Sequence, residues 1–421
     1  MPGRFPGNLY LVTNPTKSSF AHFFRAIAPT AIGGAMKIAV MGLGVAAQVM
    51  YLPLLARRRD LFELSAVCDL DDAHAARIGG ELGVTAYGDP MVLLDRGGFD
   101  ALIVLTNGTH APLVRAALDR GYWVLCEKPL AYSRAELDAI PADARLMVGY
   151  MKQYDPASQR MAEVLHEAGG PESVRHLDVT VLHPSSESQL LFAKARTSHP
   201  SPDALAPYVE VDEKAVTTAL GPRAPQRLRR LYSQVVLGSL CHDMALMRMF
   251  TGPPTGVDHV AVWPDDVFPP SVEANGDLAV GRYSLRWHYL PGYPSYQEHV
   301  IIHHEHGSLE LDFASPYLMN TPTTLTSVTR LGTTERRIVF RDIAEAFERQ
   351  LVAFHRFATQ DEPPLTGRDG ALSDIVTAQR IVRRLAESAG LPIGGEAATP
   401  EASPDVGAPA TTSPATSPTT T

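Results

Sequence analysis

A short apolar run followed at once by a glycine-rich turn constrains the fold of this chain more than any other feature. Residues 37–41 read KIAVM and lead into GLGVAA at 42–47, a G-x-G-x-x-A pattern. Gly42 permits a tight turn, Gly44 lets backbone N–H groups approach a pyrophosphate, and Ala47 allows close helix–strand packing. The pattern predicts a strand, a turn and a helix whose positive N-terminal end binds the phosphates of a dinucleotide.

An acid follows the second predicted strand at the spacing expected for a ribose-binding carboxylate. The run LSAVC at 64–68 ends at Asp69, which lies 22 residues after Ala47. A carboxylate there accepts hydrogen bonds from a ribose 2′-hydroxyl and repels a 2′-phosphate. No arginine closely follows Asp69, so we expect NAD rather than NADP as the cofactor. The alternative is a βαβ unit whose glycines only make a turn and whose Asp69 is a capping residue.

Three more strand-like runs follow, at 101–105, 122–126 and 146–150. Helical patterns of about ten residues separate them, which predicts a parallel, doubly wound Rossmann sheet over residues 36–151. Ligands of such sheets bind at the carboxyl ends of the strands. Polar residues follow each of these strands, and we predict that they contribute to the site: Thr106, Asn107, His110, Glu127, Lys128, Tyr150, Lys152 and Tyr154.

The second part of the chain, residues 152–370, shows the alternation of apolar and polar residues typical of half-buried strands. It predicts an α+β domain with an open, mostly antiparallel sheet. A polar, proline-rich stretch at 184–223 is long for a loop and is interpreted as a lid or an insertion. Helical patterns return at 344–359 and 371–389. The predicted strands are 176–182, 278–289, 296–302, 308–313 and 337–340.

The glycine motif, the strand ending in an acid, the TNxxH and EKPL segments and the following sheet domain together resemble the Gfo/Idh/MocA family. These are oxidoreductases named for glucose-fructose oxidoreductase and inositol dehydrogenase. The resemblance spans about residues 36–390, and EKP at 127–129 is its most specific mark. It implies a nicotinamide dinucleotide in the first domain and a sugar, aminosugar or cyclitol-like substrate facing the open sheet. It also implies a cis Lys128–Pro129 bond and a last helix, 371–390, that packs back on the first domain.

Lys128 is the first candidate catalytic residue. A lysine at a strand end beside a cofactor can hydrogen-bond a substrate hydroxyl and stabilise a developing alkoxide. The alternative is a lysine that only pairs with Glu127. Tyr150, Lys152 and Tyr154 match family positions that line the substrate cleft, and the alternative for them is core packing plus a solvated lysine.

His242 is the second candidate catalytic residue, predicted at the start of a helix. A histidine suits the general base that removes a hydroxyl proton. Catalytic members of the family typically carry aspartates four residues before and three residues after this histidine, where this chain has Gly238 and Ala245. Asp243, also expected to contact the substrate, or Lys128 must then tune His242, or catalysis is altered. The alternative is a structural histidine.

Neither a metal site nor a disulfide framework is predicted. In the HHEH run at 303–306, only His304 and His306 could share a strand face, and no third ligand is suitably spaced. The chain has only three cysteines, far apart in the sequence, which fits a reducing, cytoplasmic setting.

Composition and charge exclude several other classes of function. Lys and Arg number 37 against 46 Asp and Glu, a formal charge of -9 that disfavours nucleic acid as a partner. No run of about 20 apolar residues predicts a membrane span. Residues 1–35 are interpreted as an extension outside the fold or as an arm that packs on a partner subunit, and 391–421 as a disordered tail. The exposed sheet face predicts a homo-oligomer.

The sequence therefore predicts an NAD(H)-dependent dehydrogenase or reductase acting on a CH–OH group of a sugar-like or cyclitol-like substrate. Two alternatives remain open. One is a dinucleotide-binding sensor or co-repressor without turnover, and the other is an NAD-dependent glycosidase of the same family.

Overall fold

A computed structural model describes residues 34–185 and 193–399 of the chain. Of these residues, 36–185 and 193–399 belong to one compact unit. The predicted extension therefore lies almost entirely outside the described residues, as does the tail from residue 400 onward. Residues 391–399, predicted as the beginning of a disordered tail, instead include a 3-10 turn, Gly395–Ala398, in which Ala397 is buried.

The first domain contains a six-stranded sheet in which every strand pairing is parallel. The strand order is β3-β2-β1-β4-β5-β6, which brings the carboxyl ends of β1 and β4 together at the point where the order reverses. The central strands β1 and β4 are apolar and almost completely buried, as expected when helices cover both faces. The strands are β1 Met36–Met41, β2 Phe62–Cys68, β3 Thr85–Tyr87, β4 Ala101–Val104, β5 Trp123–Glu127 and β6 Leu146–Gly149.

Short helices connect these strands. A π-helical turn, Ala47–Tyr51, precedes the first of them, so the helix after the glycine motif is irregular. Side-chain caps define the starts of α2 and α3, where Asp71 and Asp89 accept backbone N–H groups. The helices are α1 Leu52–Arg57, α2 Asp72–Leu82, α3 Pro90–Arg96, α4 Ala111–Leu118 and α5 Arg134–Asp138.

The second domain contains an eight-stranded sheet of order β14-β13-β12-β11-β7-β10-β9-β8. All neighbours are antiparallel except β7 and β10, so the predicted fold class is confirmed for both domains. Three strands, β8, β9 and β13, were absent from the prediction. The strands are β7 Val174–His183, β8 His259–Trp263, β9 Ser271–Asp277, β10 Arg282–Tyr289, β11 Gln297–His304, β12 Gly307–Phe313, β13 Thr324–Leu331 and β14 Thr334–Arg341.

The helices of the second domain differ from the prediction at two places. The stretch 184–223, interpreted as a lid or an insertion, contains the 19-residue helix Pro202–Leu220, capped by Ser201. His242 does not start a helix, because three helical segments run without a break from Gln226 to Thr251. The helices are α6 Pro156–Glu167, α7 Pro202–Leu220, α8 Gln226–Arg230, a π-helical segment Leu231–Leu240, α9 Cys241–Thr251, α10 Ala346–Gln360 and α11 Arg368–Ala389, with 3-10 turns at Met151–Tyr154 and Pro171–Ser173.

Helix α11 connects the two domains. It contacts β6 and α5 of the first domain as well as α9 and β8 of the second. Its buried Asp374 accepts hydrogen bonds from the buried Arg248 guanidinium at 3.1 and 3.2 Å. This contact fixes α9, and with it His242, relative to the first domain. No helix among the described residues has the length and apolar character needed to cross a bilayer.

Candidate active site

The glycine turn after β1 has the geometry that its sequence predicts. Gly42 adopts φ +92°, and a Cβ atom there would lie 2.7 Å from the backbone of Leu105 and 2.8 Å from that of Thr106. Only glycine fits this position. A Cβ atom on Gly44 would meet nothing within 4 Å, so the backbone there borders open space. A pyrophosphate group could approach the turn on that side.

Asp69 lies at the carboxyl end of β2, directly beside the glycine turn. Its Oδ2 accepts a hydrogen bond from the Leu43 N–H at 2.9 Å, and its Oδ1 accepts one from the Asp71 N–H at 3.0 Å. A residue that was not predicted also contacts it: the Ser198 hydroxyl donates to Oδ1 at 2.6 Å. The carboxylate is thus held in a fixed orientation at the edge of the open space beside Gly44, which we call the groove.

The loop after β4 brings Thr106, Asn107 and His110 to the same edge. Asn107 is exposed, whereas Thr106 Oγ1 is buried with no hydrogen-bond partner among the described residues. His110 is buried, and its Nδ1 and Nε2 lie 2.6 and 2.7 Å from the carbonyl oxygens of Pro129 and Thr106. Burial lowers the pKa of His110. Its ring therefore ties this loop to the loop after β5, and Thr106 Oγ1 offers an unused polar atom to a ligand.

Glu127 is the last residue of β5 and Lys128 follows it, and their side chains bind different partners. The Tyr51 hydroxyl donates to Glu127 Oε1 at 2.6 Å, and burial raises the pKa of Glu127. Lys128 Nζ donates to the carbonyl oxygen of Gly238 at 2.6 Å. The Lys128–Pro129 bond is cis, as the resemblance implied. Lys128 thus reaches across from the first domain to the segment that carries His242.

His242 lies in the second helical position of α9 and is only half-exposed. Its Nδ1 atom is buried and has no hydrogen-bond partner among the described residues. The Tyr150 ring packs edge-on against the imidazole at a centroid distance of 6.2 Å. Burial, Lys128 and Lys152 together lower the pKa of His242 well below its usual value. The imidazole is therefore neutral near pH 7 and has a nitrogen free to accept a proton.

A buried charged cluster lies next to His242. Lys152 Nζ lies 2.6 Å from Glu298 Oε1 and 3.5 Å from Asp243 Oδ1, and the Tyr296 hydroxyl donates to Glu298 Oε2 at 2.5 Å. Burial raises the pKa of Asp243 to about 7, with Glu298 adding to the rise and Lys152 opposing it. For Lys152, burial alone would lower the pKa, but the two carboxylates raise it. Lys152 is 5% exposed, so the alternative of a solvated lysine is wrong.

The other two predicted substrate residues lie in the core. The buried Tyr154 hydroxyl accepts a hydrogen bond from the Leu365 N–H at 3.0 Å. Tyr150 is also buried, and its hydroxyl donates to Asp374. Tyr154 is therefore a core residue, and Tyr150 packs the edge of its ring against His242.

Glu298 and Tyr296 were missed by the sequence reasoning, although the segment was predicted as a strand. Glu298 shares the buried face of β11 with Val300 and Ile302. A carboxylate on the apolar side of an alternating strand is rare unless it is paired or functional. The alternation alone could therefore have identified Glu298.

Comparison with known proteins agrees with this geometry. Residues 36–147 match a family model described as an oxidoreductase family with an NAD-binding Rossmann fold, GFO_IDH_MocA. A D-xylose 1-dehydrogenase (NADP(+)) of Haloferax volcanii is 42% identical over 27% of this chain and 37% of its own length. An inositol 2-dehydrogenase of Saccharopolyspora erythraea is 36% identical over 23% of this chain and 31% of its own length. The chain thus matches only about a third of the length of these curated relatives.

The fold comparison extends over both domains. The crystal structure of myo-inositol 2-dehydrogenase from Lactobacillus plantarum superposes with a TM-score of 0.60, covering 84% of this chain and 98% of that one. At 16% identity this likeness shows the shared fold alone. Together with this shared fold, the match of residues 36–147 to the GFO_IDH_MocA family model, with its NAD-binding Rossmann fold, confirms the resemblance recognised from the motifs.

Proposed function

We propose that this protein is a nicotinamide-dependent oxidoreductase acting on a CH–OH group of a sugar, aminosugar or cyclitol-like substrate. One observation carries the proposal. The buried Nδ1 atom of His242, without a partner among the described residues, lies close enough to Lys128 for that ammonium to lower its pKa. A neutral base and a cationic hydrogen-bond donor thus converge at the carboxyl ends of a dinucleotide-binding sheet.

The residues present fit a dinucleotide. The turn at Gly42 and the open space at Gly44 leave room for a pyrophosphate, and the fixed Asp69 carboxylate suits a ribose hydroxyl. The buried Thr106 Oγ1 offers a further polar contact. When bound, the nicotinamide ring supplies the hydride acceptor or donor of the reaction. Asp69 supports NAD as the cofactor, although the name of the Haloferax volcanii relative includes NADP(+).

His242 transfers the substrate proton, and Lys128 stabilises the charge on the substrate oxygen. In the oxidation direction, the neutral imidazole takes the proton of the substrate hydroxyl at its unoccupied Nδ1 atom. Lys128 turns its ammonium from the Gly238 carbonyl to the same substrate oxygen and stabilises the negative charge that develops there. In the reduction direction the two residues return the proton to the carbonyl oxygen.

The carboxylates of the second domain support turnover rather than sensing. Position 238 lacks the aspartate usual in catalytic relatives, but the Asp243 and Glu298 carboxylates lie in the cluster centred on Lys152. Lys152 in turn lowers the pKa of His242. Lys152, Asp243 and Glu298 are buried beside a histidine that has a nitrogen unpaired within the described part of the chain. Burying three ionisable groups is costly, and a cluster with a purely structural role would not need to place them there.

The experiment has two stages. First, NADH and NADPH are titrated into the purified full-length chain by fluorescence. Then oxidation is followed by the absorbance of reduced nicotinamide with pentoses, inositols, aminocyclitols and nucleotide-linked sugars, with H242N as the matched inactive control. Binding of neither cofactor would refute the proposal. Binding without turnover of any polyol would favour a sensor, and a cofactor retained through purification without net NADH release would favour the glycosidase alternative.

A further inference from the structure

Residues 196–199 (RTSH), which we call the strap, belong to the connection after β7 of the second domain but contact the first domain. The Ser198 hydroxyl donates to Asp69 Oδ1 at 2.6 Å, and the His199 N–H donates to Asp71 Oδ2 at 2.8 Å. Arg196 forms an ion pair with Glu81. The strap therefore crosses the mouth of the groove on the side where β2 ends.

A second anchor fixes the strap to the helix that follows the glycine turn. The Gln48 side-chain amide pairs with the Arg196 backbone twice: Nε2 donates to the carbonyl oxygen and Oε1 accepts from the N–H, both at 2.8 Å. Downstream of the strap, Asp212 on α7 accepts a hydrogen bond from the Thr109 N–H at 2.9 Å. The strap and α7 are thus fixed to the first domain at both Gln48 and Thr109, so this part of the connection is an ordered wall of the groove.

The strap does not fill the groove. A Cβ atom placed on Gly44 would have no neighbouring atom within 4 Å, so the space beside this residue is open. Asp69 Oδ2 accepts only the Leu43 N–H among the bonds of the described residues, so it retains an acceptor position. Ser198 uses its single hydroxyl proton on Asp69, which leaves its oxygen lone pairs available to accept a hydrogen bond. The Ser198 oxygen and Asp69 Oδ2 are therefore two neighbouring hydrogen-bond acceptors at the edge of the groove.

We infer that Ser198 is a specificity-determining residue for the adenosine ribose of the cofactor, and that the strap forms the outer wall of that ribose pocket. The inference rests on the proposed dinucleotide function. Two neighbouring acceptors, the Asp69 carboxylate and the Ser198 oxygen, match the two hydroxyl donors of an unmodified ribose. A 2′-phosphate removes one of these donors and adds negative charge next to a carboxylate.

The test compares dissociation constants of NADH and NADPH for the full-length wild type, S198A and the control S388A. Ser388 makes a local hydrogen bond to Leu385 in α11, away from the strap. Loss of a bond to a ribose hydroxyl, together with a loosened Asp69, predicts that S198A binds NADH about 10-fold more weakly. We assign the bond of Ser198 to the 2′-hydroxyl, which NADPH lacks. The ratio of the NADPH dissociation constant to that of NADH should therefore fall by a similar factor, while S388A changes neither value.

Each outcome is decisive. If S198A binds NADH as well as or better than the wild type, the strap is not a wall of the pocket, and the inference fails while the proposed function stands. If both cofactors weaken equally, Ser198 only supports the loop and the specificity role is wrong. If the wild type binds neither cofactor, the proposed function and the inference fail together.

Discussion

The Lys152 ammonium lies 2.6 Å from the Glu298 carboxylate, and both residues are at least 95% shielded from solvent. Asp243 lies 3.5 Å from the same ammonium on its other side. One cation thus compensates two buried carboxyls. Since an uncompensated buried charge is very unfavourable, Lys152 holds together the parts of the site that come from the 3-10 turn after β6, from α9 and from β11.

Replacement of Lys152 should therefore be strongly destabilising. K152M leaves two carboxyls without a cation, and we expect a loss of about 3–5 kcal/mol in the free energy of unfolding near pH 8. Without the cation, the pKa of Asp243 in the folded protein rises further. The destabilisation should then shrink as the pH falls and this carboxyl becomes protonated. Urea unfolding at several pH values measures both effects.

The matched control is K214M, which removes an exposed lysine from α7 and should change the stability by less than about 0.5 kcal/mol. A K152M protein as stable as K214M would show that the Lys152 cluster is not a buried ion network.

Asp243 should make stability depend on pH. Its pKa in the folded protein is raised to about 7, above that of an unfolded aspartate, so between about pH 4 and 7 the folded state binds more protons. Stability should therefore fall by about 4 kcal/mol as the pH rises through this window and should level off above it. D243N should remove this slope in urea unfolding curves recorded from pH 5 to 8.

The exposed Asp266 provides the control for this measurement, because D266N should keep the slope of the wild type. An unchanged slope in D243N would mean that the titration near pH 7 belongs to another group.

The first domain was largely predictable because its signals are local. Gly42 and Asp69 stand within or directly after short apolar runs, and the parallel order of the sheet follows from strands alternating with helices. Lys128 could be placed at a strand end for the same reason. The predicted start of a helix near His242 was wrong, because Gly238 is tolerated inside a continuous run of helical segments.

The remainder of the site depends on contacts between distant parts of the chain. Glu298 meets Lys152 across 146 positions, and Ser198 meets Asp69 across 129. The alternation of β11 can single out Glu298 on the apolar face, but it does not indicate that Lys152 is its partner, and the strap has no regular structure that would predict its contact with Asp69. The expectation of NAD likewise used only the residues that follow Asp69 in the sequence, whereas the strap that contacts Asp69 comes from the second domain.

His242 and Lys128 are predicted to act on the rate rather than on cofactor binding. H242N and K128M should each lower kcat by about 10²- to 10⁴-fold, because they remove the proton acceptor and the donor to the substrate oxygen. The NADH dissociation constant, measured by fluorescence, should change little. Full activity in either variant would assign the chemistry to other residues.

The pH profile of kcat offers a second check on His242. The pKa of His242 lies well below the usual 6.5, so the imidazole stays neutral as the pH falls through 6.5. We therefore expect no decrease of kcat near pH 6.5 that is caused by protonation of His242. A limb near pH 7 that disappears in D243N belongs to Asp243. A limb at 6.5 that persists in D243N would show that His242 is solvated and ordinary.

The two glycines of the turn should respond differently to alanine. G42A places a Cβ atom 2.7 Å from the Leu105 backbone at φ +92°, so we expect a loss of at least about 2 kcal/mol in the free energy of unfolding. G44A meets nothing within 4 Å and should leave stability nearly unchanged. Its methyl group projects into the space proposed for the pyrophosphate, however, so the NADH dissociation constant should rise about 10-fold or more.

G80A serves as the control, since Gly80 lies in α2, also with nothing within 4 Å of an added Cβ. Alanine there should slightly raise stability through helix propensity and leave NADH binding unchanged. Urea unfolding and NADH titration on the three variants separate the two roles. If G44A bound NADH as tightly as G80A does, the open space at Gly44 could not be the pyrophosphate position, because a methyl group on the turn would then lie outside the path of the ligand.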